Sequence, residues 1–258
     1  MTIKPNPQRI VQTIWLPALA LAIFLLGWEG LVRVGHYPAF ILPPPGRVAE
    51  KLLDSALDGS LWRHAGVTLL EVLGGLALGL AVATVLGYVL AKSVPIERAL
   101  APYLVASQAI PIVAIAPLLV IWFGAGMLSK VLISALIVFF PILVNTIAGV
   151  RAVPEDLRDL MRSLRATPWQ TFIKLEIPAA LPVLFAGLKV GATLAVIGAV
   201  VGELAGADAG LGFLISLSNG LFDTARVFVG VLALVVMALA LYGAVAALEG
   251  RLLAWRRQ

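Results

Sequence analysis

The chain has 258 residues, 61% of them hydrophobic and 13% charged, where an ordinary soluble domain has roughly 45–50% and 25%. A water-soluble fold of this length could not hide so much apolar surface, so the chain is expected to span a membrane. It has no cysteine, which excludes a disulfide framework and a thiolate metal site, and its two histidines, His36 and His64, make no metal cluster; the formal charge of +5 belongs to the ends of apolar spans rather than to a nucleic-acid surface.

A bilayer-crossing helix needs about 20 mostly apolar residues. Runs lacking Asp, Glu, Lys and Arg predict six spans, near 10–33, 66–91, 99–123, 128–150, 178–203 and 227–249, in one transmembrane domain covering 1–258. The first run begins too deep and is too long for a cleaved signal peptide, so it reads as a retained span. After it, the "LPPPGR" turn precedes Val48, Leu52, Leu53, Ala56 and Leu57 at helical spacing, which predicts a helix lying along the outer surface.

Lys and Arg are retained on the cytoplasmic side. With the N-terminus inside, twelve basic residues fall there (Lys4, Arg9, Lys92, Arg98, Arg151, Arg158, Arg162, Arg165, Lys174, Arg251, Arg256, Arg257) against six outside (Arg33, Arg47, Lys51, Arg63, Lys130, Arg226). Both termini are therefore expected in the cytoplasm.

Gly75 with Gly79, Gly187 with Gly191 and Gly198 with Gly202 make small-xxx-small pairs, which let helix backbones approach closely in lipid. Pro111, Pro117 and Pro141 are expected to interrupt helices at membrane depth, either as kinks in a packed bundle or where a helix lines a pathway. Polar groups at that depth are expensive and face an interior or a cavity. Gln108 and Asn145 are candidates for the path or for interhelical hydrogen bonds. Glu203 is a candidate for the path or a solvated outer group. Lys189, near mid-span, would pair with Glu29 or Glu203, or attract a passing anion.

The connection between Val150 and Pro178 is about 28 residues, where bundle helices need roughly 2 to 8. Pro154 stands at a first helical position, acids Glu155, Asp156 and Asp159 follow, and Arg162 and Arg165 close the segment, which suits a helix dipole. Leu157, Leu160, Met161 and Leu164 share one face. Thr167, Pro168 and Gln170 predict an N-cap, first position and capping-box partner for a second short helix carrying Trp169, Phe172 and Ile173, which Pro178 would end. That apolar face either packs under the bundle or docks into the groove of a cytoplasmic partner.

This loop is similar to the EAA loop of ATP-binding-cassette importer permeases. Asp159, Leu160 and Met161 stand in the E-A-A places, Leu175 in the I place, and Ile177 with Pro178 in the L-P places, while Arg165 replaces the glycine. "IPIVAIAPLLVIWFGAGMLSK" from Ile110, "FFPILVNTIAGVR" from Phe139 and "GELAGADAGLGFLI" from Gly202 resemble the nitrate, sulfonate and taurine branch of these permeases, over about Ile110 to Ile215.

The resemblance implies an all-α, six-span inner-membrane permease of the bacterial type, N-in and C-in, with a cytoplasmic coupling loop between spans 4 and 5. Partners would be a cytoplasmic ATPase dimer, a second permease copy as a homodimer, a periplasmic or lipid-anchored substrate-binding protein, and surrounding lipid. The solute would be a sulfonate or taurine, nitrate or bicarbonate, or a heterocyclic vitamin precursor. The chain has no G-x-x-x-x-G-K-[ST] phosphate loop, so ATP and Mg would be held by the ATPase. Leu160, Met161 and Leu164 would supply the buried face of that contact, Trp169 and Phe172 would anchor the second helix, and Asp159 would pair with a basic group across it. With arginine at 165, the first helix either runs on or bends later, at Ala166 and Thr167. A secondary transporter and an integral-membrane transferase are the alternatives; neither a repeat nor a separate acid cluster favours them.

Overall fold

The computed structural model describes residues 7–254, apart from the side chains of 7–14, 17 and 18. Lys4, Arg256, Arg257 and the Arg9 side chain, counted above in the orientation, lie outside the described residues, as do the side chains of 10–14, 17 and 18 in the first expected span.

All regular structure among the described residues is helical. In order the helices are α1 (Pro7–Gly35), α2 (Pro45–Leu57), α3 (Ser60–Lys92), α4 (Val94–Gln108), α5 (Ile112–Phe123), α6 (Met127–Arg151), α7 (Glu155–Ser163), α8 (Pro168–Thr171), α9 (Ile177–Ala205), α10 (Leu211–Gly220) and α11 (Thr224–Leu252). Among the described residues four stretches are long and apolar enough to cross a membrane: α3, α6, the run Pro168–Ala205 and α11. The shortest has 25 residues, about 38 Å at 1.5 Å each, against a hydrocarbon core of about 30 Å.

The stretch read as a third span is not one straight helix, for α4 and α5 meet at 92°. Pro111 is the cause: it has no N–H to continue the ladder, and it pushes Ile110 out of helical geometry. Pro117 and Pro141, also expected to interrupt helices, instead sit inside continuous α5 and α6.

The chain forms two compact units, 1–60 with 215–229, and 61–214 with 230–258. In the larger unit α6 lies between α3 and α9. The paired glycines make this possible: a Cβ on Gly198 would stand 2.5 Å from the Ser134 Cα, and one on Gly75 would overlap the Ser134 side chain. Ser134 uses that closeness to donate a 3.0 Å hydrogen bond to the Ala195 carbonyl. The core around this seam draws on Val72, Leu76 and Ala83 of α3, Val138, Ile142 and Leu143 of α6, and Ala192, Ala195 and Ala199 of α9.

In the smaller unit, Trp28 packs on Phe228 with ring centroids 5.0 Å apart. The helix expected after the proline turn is α2, held by a 2.8 Å ion pair between Lys51 and Asp223. Burial pushes the Asp223 carboxyl up, but the hydrogen bonds from Lys51 and the Arg226 N–H outweigh it and hold the group below its ordinary value of 3.8. A depressed folded-state value means that this contribution to stability is complete above pH 3.8 and fades as pH falls through the folded value. Hydrogen exchange in α2, corrected for intrinsic rate, should therefore quicken on acidification below that point, and Asp223→Asn should show the quickened rate already at neutral pH.

Candidate functional site

The loop between α6 and α9 is a built element. Pro154 caps α7 as its N-cap residue, with φ −58° and ψ 140°, one position before the first helical place expected for it. Arg158 reaches back to the Val150 carbonyl at 2.9 Å and ties α7 to the end of α6. Asp159 is engaged by Arg162 of its own helix at 2.6 Å, and Arg162 also meets Glu155 at 3.1 Å. Met161 is half-buried, whereas Leu160 and Leu164 are 53% and 68% exposed, with Leu157 also exposed beside them.

Arg165 takes neither expected course. Helix α7 stops, and Arg165 itself adopts the left-handed conformation at φ 51°. The Arg165 N–H donates to the Arg162 carbonyl at 2.9 Å and the Ala166 N–H to the Met161 carbonyl at 3.0 Å. That is the Schellman pattern in which glycine is usual after a helix. An arginine there gives up roughly 1–2 kcal/mol relative to glycine, which the two hydrogen bonds offset. Arg165→Gly should slow hydrogen exchange at Ala166, and Arg165→Val should speed it by about tenfold, because a β-branched residue tolerates this region least. Equal rates in all three proteins would remove this account of the turn.

The capping box predicted from Thr167 and Gln170 is present. The Gln170 N–H donates to Thr167 Oγ1 at 3.2 Å, and the Thr167 N–H donates to Gln170 Oε1 at 2.9 Å. Trp169 is exposed, while Phe172 is half-buried, 5.5 Å from the Trp169 ring and 4.9 Å from the Tyr88 ring of α3. Pro178 does not end this segment. The chain passes through a π-helical turn, Phe172–Glu176, straight into α9. Widening fits the proline: it has no N–H for the Lys174 carbonyl, and the turn shifts the pairing so that the Ile177 N–H reaches Phe172.

Within that turn sits a residue the sequence reading missed. The Glu176 carboxylate is buried and accepts hydrogen bonds from Lys92 Nζ and, at 2.9 Å, from the Tyr88 hydroxyl. The loop is thereby anchored to the end of α3, across 84 residues of sequence.

The four candidate path residues occupy separate settings. Gln108 ends α4 exposed and lines a groove with Pro111, Phe139 and Phe140. Asn145 makes a bond within its own helix rather than the interhelical one expected as the alternative to a place on the path: its Nδ2 donates to the Pro141 carbonyl at 2.8 Å. Lys189 pairs with Glu249 of α11 at 2.8 Å, not with Glu29 or Glu203. Glu203, 14 residues or about 21 Å further along α9, is not solvated but buried.

Glu203 centres a polar cluster. Thr68 Oγ1 donates to its Oε1 at 2.6 Å, and the Gly212 N–H donates to its Oε2. The Glu71 carboxyl lies beside it, also buried. Thr68 Oγ1 also accepts from the Leu211 N–H at 2.8 Å, and His64 Nδ1 accepts from the Gly210 N–H at 3.1 Å. Close by, Lys130, counted above as an outer charge, is 1% exposed and donates to the Ala125 carbonyl and, at 2.6 Å, to the Gly206 carbonyl. The turn after α9 is thus pinned to α3 and α6. Glu71, Thr68 and Lys130 escaped the sequence reading because their partners lie up to 135 residues away. A group of three or more His, Asp or Glu side chains able to hold a metal is absent among the described residues.

Comparison with known proteins gives these features a context. Residues 75–254 match the family described as binding-protein-dependent transport system inner membrane component. The riboflavin transport system permease protein RibX of Chloroflexus aurantiacus is 45% identical over 98% of this chain and 96% of its own. The formylaminopyrimidine transport permease protein ThiX of Halalkalibacterium halodurans is 35% identical over 94% of this chain and 96% of its own. Among solved structures, an inward-facing conformation of the MetNI methionine ABC transporter matches with a TM-score of 0.64 and 18% identity, over 75% of this chain and 96% of that one.

Proposed function

The chain belongs to the binding-protein-dependent transport system inner membrane component family and is a transporter permease subunit, and we propose that it works as a homodimer with a cytoplasmic ATPase dimer and an external substrate-binding protein. The observation that carries this reading is the loop 151–178. A short helix with exposed Leu157, Leu160 and Leu164 stands on a capped turn, beside exposed Trp169, and is fastened to the membrane helices through Glu176 and Arg158. An apolar knob on a firm base can seat in a partner's groove and carry that partner's motion inward as a rigid body.

In this proposal Leu160, Leu164 and Trp169 make the contact, Met161 and Phe172 hold the two short helices in place, and the Asp159–Arg162 pair keeps α7 charged on its outer face. Arg165 sets the turn between them, and Pro178 sets the π-helical turn that joins the loop to α9. ATP and Mg are bound by the ATPase, and this chain transmits the result of hydrolysis. The proposed topology has six crossings, α1, α3, the bent α4–α5 pair, α6, α9 and α11, with both ends of the chain in the cytoplasm, as the excess of Lys and Arg there supports. The Glu203 cluster then closes the outer end of the bundle, where solute arrives. Of the four path candidates, Gln108 is the one with no hydrogen bond among the described residues; Lys189 and Glu203 pair with other helices and Asn145 with its own.

A deletion strain tests the proposal against a secondary transporter. The metabolite whose uptake disappears should, in the complete strain, still enter after the ion gradients are collapsed and should stop entering when ATP is depleted. Uptake that follows the gradients and ignores ATP would contradict the assignment.

A further inference from the structure

The bend between α4 and α5 opens a cavity of about 630 Å³, floored by Leu136, Phe139 and Phe140 of α6. That volume is in the range of small-molecule sites, roughly 300–1,000 Å³. Its wall is mostly apolar and carries no charged side chain; Ser107 and Gln108 are its polar members. The Ser107 hydroxyl spends its proton on the Leu104 carbonyl at 2.8 Å, so it faces a ligand as an acceptor. The Gln108 carboxamide has no hydrogen bond among the described residues, so it offers a donor and an acceptor side by side. Phe139 and Phe140 meet edge to face, with centroids 5.0 Å apart and planes at 78°.

An oxyanion entering this cavity would shed water and meet no counter-charge. The cations on the helices that could supply one are engaged elsewhere: Lys189 with Glu249, and Lys130 with the Ala125 and Gly206 carbonyls. A flat, uncharged ring system loses nothing comparable, because its faces replace water with aromatic and aliphatic contacts. A ring edge carrying N–H beside C=O is the complement of a free carboxamide, which pairs with it through two parallel hydrogen bonds.

We infer that the α4–α5 cavity is the transit site for an uncharged, planar heteroaromatic solute, whose lactam edge is read by Gln108 and whose ring lies against Phe139 and Phe140. The inference rests on the permease reading and adds the solute's chemical class and the residues that select it. Binding there is weak enough to release, as conduction requires.

Riboflavin, an uncharged fluorescent tricycle with such an edge, is the probe, and taurine is the contrasting charged solute. The full chain is purified with its bound partners and titrated with each. Flavin fluorescence should be quenched saturably, and taurine should not reverse it. Gln108→Leu should weaken riboflavin binding by about tenfold, the value of one bidentate pair. Phe139→Leu, which keeps the wall apolar, should weaken it by about threefold. Displacement by taurine, equal affinity in the wild type and both variants, or no quenching at the highest soluble flavin concentration would each overturn the inference. Loss of the ATPase from the purified complex is a separate failure, of the permease reading, and the titration of the chain itself still decides the cavity's chemistry.

Discussion

Replacing Leu160 and Leu164 by Asp should stop transport while leaving the chain folded and inserted. Both side chains are more than half exposed, so the substitution disturbs little inside the protein. Across a partner interface the effect is different, because each carboxylate would be carried into a groove shaped for an apolar side chain. Central apolar contacts of this kind are worth about 2 kcal/mol each, or roughly 30-fold in affinity apiece. Together they should reduce solute uptake to background, with ATP hydrolysis no longer responding to the binding protein. Normal uptake by the double variant would show that the face merely covers the underside of the bundle.

The second large effect is expected at Glu203. Truncation to Ala leaves the Gly212 N–H without its acceptor in a site closed to water and takes from the Thr68 hydroxyl the shorter of its two bonds, the other going to the His64 carbonyl at 3.2 Å. A buried group left unpaired costs about 1–3 kcal/mol, so the loss should be about 2 kcal/mol or more, seen as a fall of roughly 4–8 °C in apparent Tm. Glu203→Gln keeps the shape: its Oε1 accepts the Gly212 N–H and its Nε2 donates to Thr68 Oγ1, whose proton turns to the His64 carbonyl 3.2 Å away, so this variant should stay within about 1 kcal/mol of wild type. The two variants therefore separate hydrogen bonding from charge. An Ala variant with unchanged Tm and unchanged exchange at Gly210 and Gly212 would mean that the cluster does not hold the turn.

Local chemistry was legible in the sequence, and remote pairing was not. The capping box at Thr167 and Gln170 was readable because its two partners are three residues apart and the spacing alone fixes their geometry. The apolar face of α7 and the close approach at Gly75 and Gly198 were readable for the same reason, since helical periodicity is a local property. Glu176, Glu203 and Lys130 were misread or missed because their partners come from distant helices, and a lone charge in a sequence carries no sign of where it will be satisfied. Lys189 shows the limit well: its need for a carboxylate was evident, but Glu249 could be chosen over Glu29 and Glu203 only once α9 and α11 were seen side by side. The prolines divide similarly. Pro111, Pro117 and Pro141 look alike in sequence, yet only Pro111 breaks a helix, because the bundle can re-satisfy one lost hydrogen bond wherever packing holds both flanks. Arg165 was the least legible position, since a residue that rarely takes the left-handed turn takes it here under the pull of two backbone hydrogen bonds.

The central claim is that the loop 151–178 fastens this permease to an ATPase. The most direct measurement is to tag the chain in its native cells, solubilise the membranes gently and weigh what is recovered with it. An ATPase bearing a phosphate loop should come down in stoichiometric amount and be lost when Leu160 and Leu164 become Asp. Recovery of the chain alone, or of an ATPase whose binding ignores those two substitutions, would contradict the account.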